Sequence, residues 1–65
     1  MARRVELKGR RFWILSEPHG GPGWKARVLE QKGEAEDAVG IDATAETRVA
    51  ADDAAERKLR RLLQV

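Results

Sequence analysis

The chain has no cysteine, one histidine, one methionine and three aromatic residues among its 65 positions. Without cysteine it forms neither a disulfide staple nor a thiolate metal site, and a reducing cytoplasm is the compartment that fits. A lone histidine, His19, leaves no imidazole cluster for a metal ion. No apolar run approaches the ~20 residues of a membrane-spanning helix. The basic start Met1-Ala2-Arg3-Arg4 lacks the apolar segment of a secretory signal. The expectation is a soluble cytoplasmic protein that needs no metal and no cofactor.

What is present is charge. Charged residues make up 37% of the chain and hydrophobic residues 42%, a globular balance. The length implies one domain spanning residues 1–65. So short a chain buries only ~60% of its unfolded surface, and self-association is the usual support for such a small core. The net charge of +2 is unevenly spread: residues 1–32 hold eight basic and three acidic groups, residues 33–65 five basic and eight acidic. A basic half beside an acidic half points to a polyanion-facing surface. The same charges also solvate exposed strand positions.

Hydrophobic periodicity orders the chain. Val5 and Leu7 alternate with charged residues before Lys8-Gly9, a two-residue hairpin turn in which glycine takes φ > 0. Strand one is expected over 3–7 and strand two over 10–17. This turn pairs Leu7 with Arg10, Glu6 with Arg11, Val5 with Phe12 and Arg4 with Trp13. Val5, Leu7, Phe12 and Ile14 then share the core face, and Arg4, Glu6, Arg11, Trp13 and Leu15 the other. On that outer face Glu6 and Arg11 make a cross-strand ion pair, and Arg4 lies over Trp13 as a cation–π contact. Residues 18–23, Pro-His-Gly-Gly-Pro-Gly, read as a loop. A third strand over 24–30 places Trp24, Ala26 and Val28 on the core face and Lys25, Arg27 and Leu29 outside. Polar residues 31–37 read as a second loop. Strand four is expected over 38–45, with Val39, Ile41, Ala43 and Ala45 on one side.

Residues 47–64 read as a helix. Thr47 is the expected N-cap, with Thr44 the alternative. Ala51, Ala55, Leu59 and Leu62 recur at helical spacing, flanked by Ala54 and Leu63. The spacing offers i,i+4 pairs Asp53–Arg57 and Glu56–Arg60. Acidic residues early and basic residues late match the helix dipole. Val49 falls outside the apolar stripe. Leu59, Leu62 and Leu63 thicken the apolar surface near the end of the helix and are the expected homodimer interface.

No catalytic constellation emerges. His19 has no orienting partner for general-base chemistry, and Ser16 has no nucleophile-elbow context. Residues 20–23 lack the strand-to-helix setting and the Lys-Ser/Thr of a phosphate-binding loop. Glu34, Glu36 and Asp37, like Asp52 and Asp53, lack the spacing of an EF-hand loop. An enzyme is therefore not expected. The constellation that remains is Arg4, Arg11, Trp13, Lys25 and Arg27 on the outer face. Cations that follow a phosphate backbone beside a stacking aromatic suit single-stranded nucleic acid.

Three resemblances bear on this. Residues 4–14, Arg-Val-Glu-Leu-Lys-Gly-Arg-Arg-Phe-Trp-Ile, resemble the opening hairpin of PUR repeats, and Gly23-Trp24-Lys25-Ala26-Arg27-Val28 resembles their third strand. PUR repeats share a ββββα plan with Whirly-type single-strand binders. The likeness implies single-stranded DNA or RNA on the sheet and dimers built from paired repeats. It covers the first half of the chain best; the Gly-Pro loop, the acidic segment after strand three and the alanine-rich helix depart from the PUR pattern. Residues 23–28, then 41–47 and the Ala51/Ala55/Leu59 helix, are similar to HicB-like antitoxin domains, which implies a small basic protein partner. The first hairpin is additional to that pattern. A third similarity is to three-stranded integrase-arm DNA binders, whose sheet enters the major groove. The expected fold is α+β, a four-stranded antiparallel meander with one C-terminal helix on one face. The expected function is non-enzymatic nucleic-acid binding by the other face, with a HicB-like or accessory protein-interaction module as the alternative.

Overall fold

The structure, a computed structural model, describes residues 2–64. Four strands, β1 (Ala2–Leu7), β2 (Arg10–Pro18), β3 (Trp24–Lys32) and β4 (Ala35–Ala45), precede one helix, α1 (Arg48–Leu63). The strands form a single antiparallel sheet in the order β1-β2-β3-β4, and α1 lies across one face of it, closest to β4 and β3. This is the expected ββββα architecture.

The first hairpin has the register that the turn dictates. Leu7 opposes Arg10, Glu6 opposes Arg11, Val5 opposes Phe12 and Arg4 opposes Trp13. Lys8 and Gly9 both carry positive φ, 52° and 74°, the requirement of a type I′ turn. Val5, Leu7, Phe12 and Ile14 are buried together with Ala26, Val28 and Ala43 against Ala51, Ala55 and Leu59 of α1. Ala51 and Ala55 are fully enclosed: short side chains let the helix backbone come close to the sheet. Phe12, Ile14, Val28 and Leu59 are the largest fully buried side chains, each contributing about 1.5–3 kcal/mol by burial. Trp24 and Leu63 pack against this core from its margin.

The sheet differs from expectation after β3. Residues 31–37 do not form a loop. β3 continues to Lys32, and a two-residue turn, Gly33-Glu34, leads directly into β4 at Ala35. Gly33 has φ 61° at the first central position, which a type II′ hairpin reserves for glycine. Residues 35–38 are exposed, so no apolar alternation marked them as strand. Their carboxylates instead suit an unpaired edge, where charge discourages pairing with another chain. Further along, Arg27 opposes Asp42 while Leu29 opposes Ala38, so residues 39–41 of β4 stand opposite Val28 alone. Gly40, at φ 80°, provides the bend. Two extra residues preserve the alternation of sides, so Val39, Ile41, Ala43 and Ala45 stay on the core side as expected.

α1 begins at the expected cap. Thr47 is extended, and its Oγ1 accepts a 3.1 Å hydrogen bond from the Ala50 amide. Gln64, in the left-handed conformation, closes the C-terminus by donating its amide to the carbonyls of Arg60 and Arg61. Arg60 and Arg61 in the last turn complement the dipole, but the first turn holds no acidic residue. Asp52 and Asp53 lie one turn too far in for that effect. The Glu56–Arg60 pair forms at 3.1 Å. Asp53 reaches across to Arg3 of β1 at 2.8 Å, and Glu56 joins it at 3.2 Å. These contacts raise the Arg3 pKa above its ordinary value: the Asp53 hydrogen bond is the largest cause, opposed by desolvation and aided by Glu56. They tether the edge strand to the helix.

Candidate functional site: the open sheet face

Directly opposed residues of antiparallel strands share a face, so the registers define four rows across the side that α1 leaves bare. One row is Glu6, Arg11, Gln31 and Glu36. The next is Arg4, Trp13, Leu29 and Ala38. The third is Ala2, Leu15, Arg27 and Asp42, and the last is Glu17, Lys25 and Thr44. Arg4, Arg11, Trp13, Lys25 and Arg27 therefore all lie on one surface, opposite the helix.

The two middle rows are apolar at their centre. Trp13, Leu15 and Leu29 are half-buried there, while Ala2 and Ala38 are exposed. Trp13 is fixed in place: its Nε1 donates to Gln31 Oε1 at 2.8 Å, and the guanidinium carbon of Arg4 lies 6.0 Å from the ring centroid. Gln31 is held in turn by donating its Nε2 to the Gly33 carbonyl at 3.3 Å. The indole is a pre-ordered platform with its polar edge already satisfied.

Around this centre the charges are balanced. The same rows that gather four cations gather four carboxylates, Glu6, Glu17, Glu36 and Asp42. Arg11 Nε is 3.7 Å from Glu6 Oε2, and Lys25 Nζ is 3.9 Å from Asp42 Oδ2. Arg27, directly opposite Asp42, is exposed. Rows on one face are about 7 Å apart, less than the ~8 Å Debye length at physiological salt. A charged ligand would therefore sense the sum of the rows. The sequence expectation weighs the cations and Trp13 without the carboxylates around them. Strand alternation alone places Glu17 and Asp42 among those cations, whereas Glu36 lies in the expected 31–37 loop and joins the face because β4 begins at Ala35.

The helix side holds further ionic contacts that the sequence did not single out. Arg10 lies over Phe12, 5.4 Å from the ring centroid, and makes two hydrogen bonds of 2.8 and 2.7 Å to Glu30. Glu30 is buried and directly opposite Phe12. The Arg10 hydrogen bond holds the Glu30 carboxyl below its ordinary pKa, against desolvation, and the Arg10 pKa is raised in return. Alternation already placed Arg10 with Phe12 and Glu30 with Val28, so the pairing could have been read. Arg48 donates its Nε to Ser16 Oγ at 3.3 Å and lies 5.8 Å from the Trp24 ring. Lys58 donates to the Asp42 carbonyl on β4.

Of the expected dimer residues, Leu59 is fully enclosed within the protomer, Leu63 packs on its core, and Leu62 is 58% exposed. The three do not form one surface, because Leu59 points into the sheet. His19 is exposed in the loop after β2, where its amide donates to the Gly23 carbonyl. Among the described residues, no three His, Cys, Asp or Glu side chains are placed to hold a metal ion. No described helix is long and apolar enough to cross a membrane. No protein-family model, no curated protein and no solved structure matches the chain, so the PUR-like and HicB-like resemblances rest on the quoted residues alone.

Proposed function

We propose that this chain is a non-enzymatic binding module that engages a protein through its open sheet face. The observation that carries the reading is the composition of that face: an apolar centre of Trp13, Leu15 and Leu29 inside a rim with equal numbers of cations and carboxylates. Protein interfaces combine an aromatic-containing apolar core with a polar rim. Anchors such as a half-buried, pre-ordered Trp carry much of the binding energy. A polyanion would gain from Arg4, Arg11, Lys25 and Arg27 and lose to the four carboxylates between them.

Nucleic-acid binding is the second reading. Trp13 under Arg4 favours it, as does Arg27, which has no ion pair among the described residues. The two readings separate by salt. Phosphate contacts release counterions, so nucleic-acid affinity falls steeply as salt rises, whereas a protein contact centred on apolar side chains does not. A labelled oligonucleotide titrated at about 50 and 200 mM salt should show no more than weak, non-specific association. Tight binding at the lower salt that collapses at the higher would move the second reading to first place. In the native host, a photo-crosslinker at residue 38 should yield a salt-tolerant protein adduct. Leu29→Asp should abolish that adduct and Val49→Asp on the helix should spare it; equal yields from all three would refute the protein reading.

A further inference from the structure

The arrangement of charge on the open face has a specific symmetry. Take a two-fold axis parallel to the sheet and just outside its open face, perpendicular to the strands and level with the gap between the Trp13 row and the Leu15 row. Rotation about it lays each strand over its own copy and exchanges the rows. Trp13 then faces Leu15 of the second copy, and Arg11 faces Glu17 of the second copy. Leu29 receives the aliphatic stem of the second copy's Arg27. Ala38 meets the second copy's Asp42, and Glu36 meets its Thr44. No two like charges are opposed. The other axis, parallel to the strands, would also pair Trp13 with the second copy's Leu29 and Glu17 with its Lys25, but it sets the like charges Glu6 and Glu36 against each other.

We propose that the open face is self-complementary and that its occupant is a second copy of this chain, packed sheet to sheet about the first axis. Each pairing is reciprocal, as an isologous interface requires. Four strands about 4.8 Å apart and four rows about 7 Å apart give a face of roughly 500 Å² before side-chain relief. Two such faces bury on the order of 1,000 Å², the lower limit for a specific interface. The dimer is accordingly weak. It gives this small core the additional burial that its size calls for. Dimerisation thus moves from the helix leucines to the sheet. The inference rests on the protein-binding reading of the open face and names the partner.

Sedimentation of the full chain from about 10 µM to 1 mM tests it, with far-UV circular dichroism confirming that each variant folds. The wild-type mass should rise from one to two protomers over that range. Arg11→Glu and Glu17→Arg should each weaken the dimer about tenfold or more, and the double variant should restore it. A wild-type monomer throughout overturns the proposal. So does a dimer that survives both single reversals and breaks with Leu62→Asp. If the protein stays monomeric while the residue 38 adduct persists, self-association fails and the protein-binding reading stands. Loss of both removes both.

Discussion

Leu59 and Leu62 are three residues apart on one helix and both belong to the apolar spacing, yet they should behave oppositely when truncated. Leu59 is fully enclosed in the core between α1 and the sheet, whereas Leu62 is 58% exposed. Leu59→Ala removes buried methyl groups and leaves a cavity that the rigid sheet fills only partly, a loss of about 2–5 kcal/mol. At ~0.05–0.15 kcal/mol per residue, the whole domain has roughly 3–10 kcal/mol of stability. The substitution therefore removes about a fifth of it or more. At ~2.1 cal/mol/K per residue the unfolding entropy is about 0.14 kcal/mol/K, so a 3 kcal/mol loss lowers Tm by about 20 °C. Leu62→Ala should change stability by no more than about 0.5 kcal/mol. Urea unfolding followed by tryptophan fluorescence, at two protein concentrations, measures both. Equal losses at the two sites would refute the packing described. So would a Leu62→Ala loss that grows with protein concentration, which would return the interface to the helix.

Three further outcomes follow from single contacts. The folded-state pKa of Glu30 lies below its ordinary value of 4.5, so its pairing with Arg10 stabilises the fold above about pH 4.5 and is lost as pH falls through the lower, folded value. Glu30→Gln should flatten that acid limb of the stability curve; an unchanged limb would show that Arg10 does not hold the carboxylate. Thr47→Ala should cost about 1 kcal/mol in urea unfolding through loss of the bond to the Ala50 amide, and Thr44→Ala, on the open face, should cost clearly less. Gly40→Ala meets no atom within 4 Å, so its expected cost of about 1–2 kcal/mol is one of backbone conformation at φ 80° alone. A neutral substitution would argue against the bend in β4.

Alternation made most of the sheet legible. Val5, Leu7, Phe12 and Ile14 fell on one side because the Lys8-Gly9 turn admits a single register, and a slip by one residue would have exposed all four. The beginning of β4 was not legible. Its residues face water on both sides, so turn geometry and ladder bonds hold it rather than an apolar stripe. The tether from Arg3 to Asp53 and Glu56 was also hidden, since it joins residues some fifty positions apart. The helix period offered Asp53 a local partner, Arg57, but the proximity of β1 supplied a better one. The open face was half legible. Its cations and Trp13 were assigned correctly to one surface, whereas its balance emerges only when Glu17, Glu36 and Asp42 are placed by the same registers.

Amide and indole NMR shifts, followed as wild-type protein is concentrated in moderate salt, test the central claim most directly. The account predicts concentration-dependent shifts in the Trp13 indole and in the amides of residues 13, 15, 27 and 29, with those around Leu62 unmoved. Shifts confined to α1, or a sheet that stays silent to concentration yet responds to a few equivalents of oligonucleotide, would contradict it.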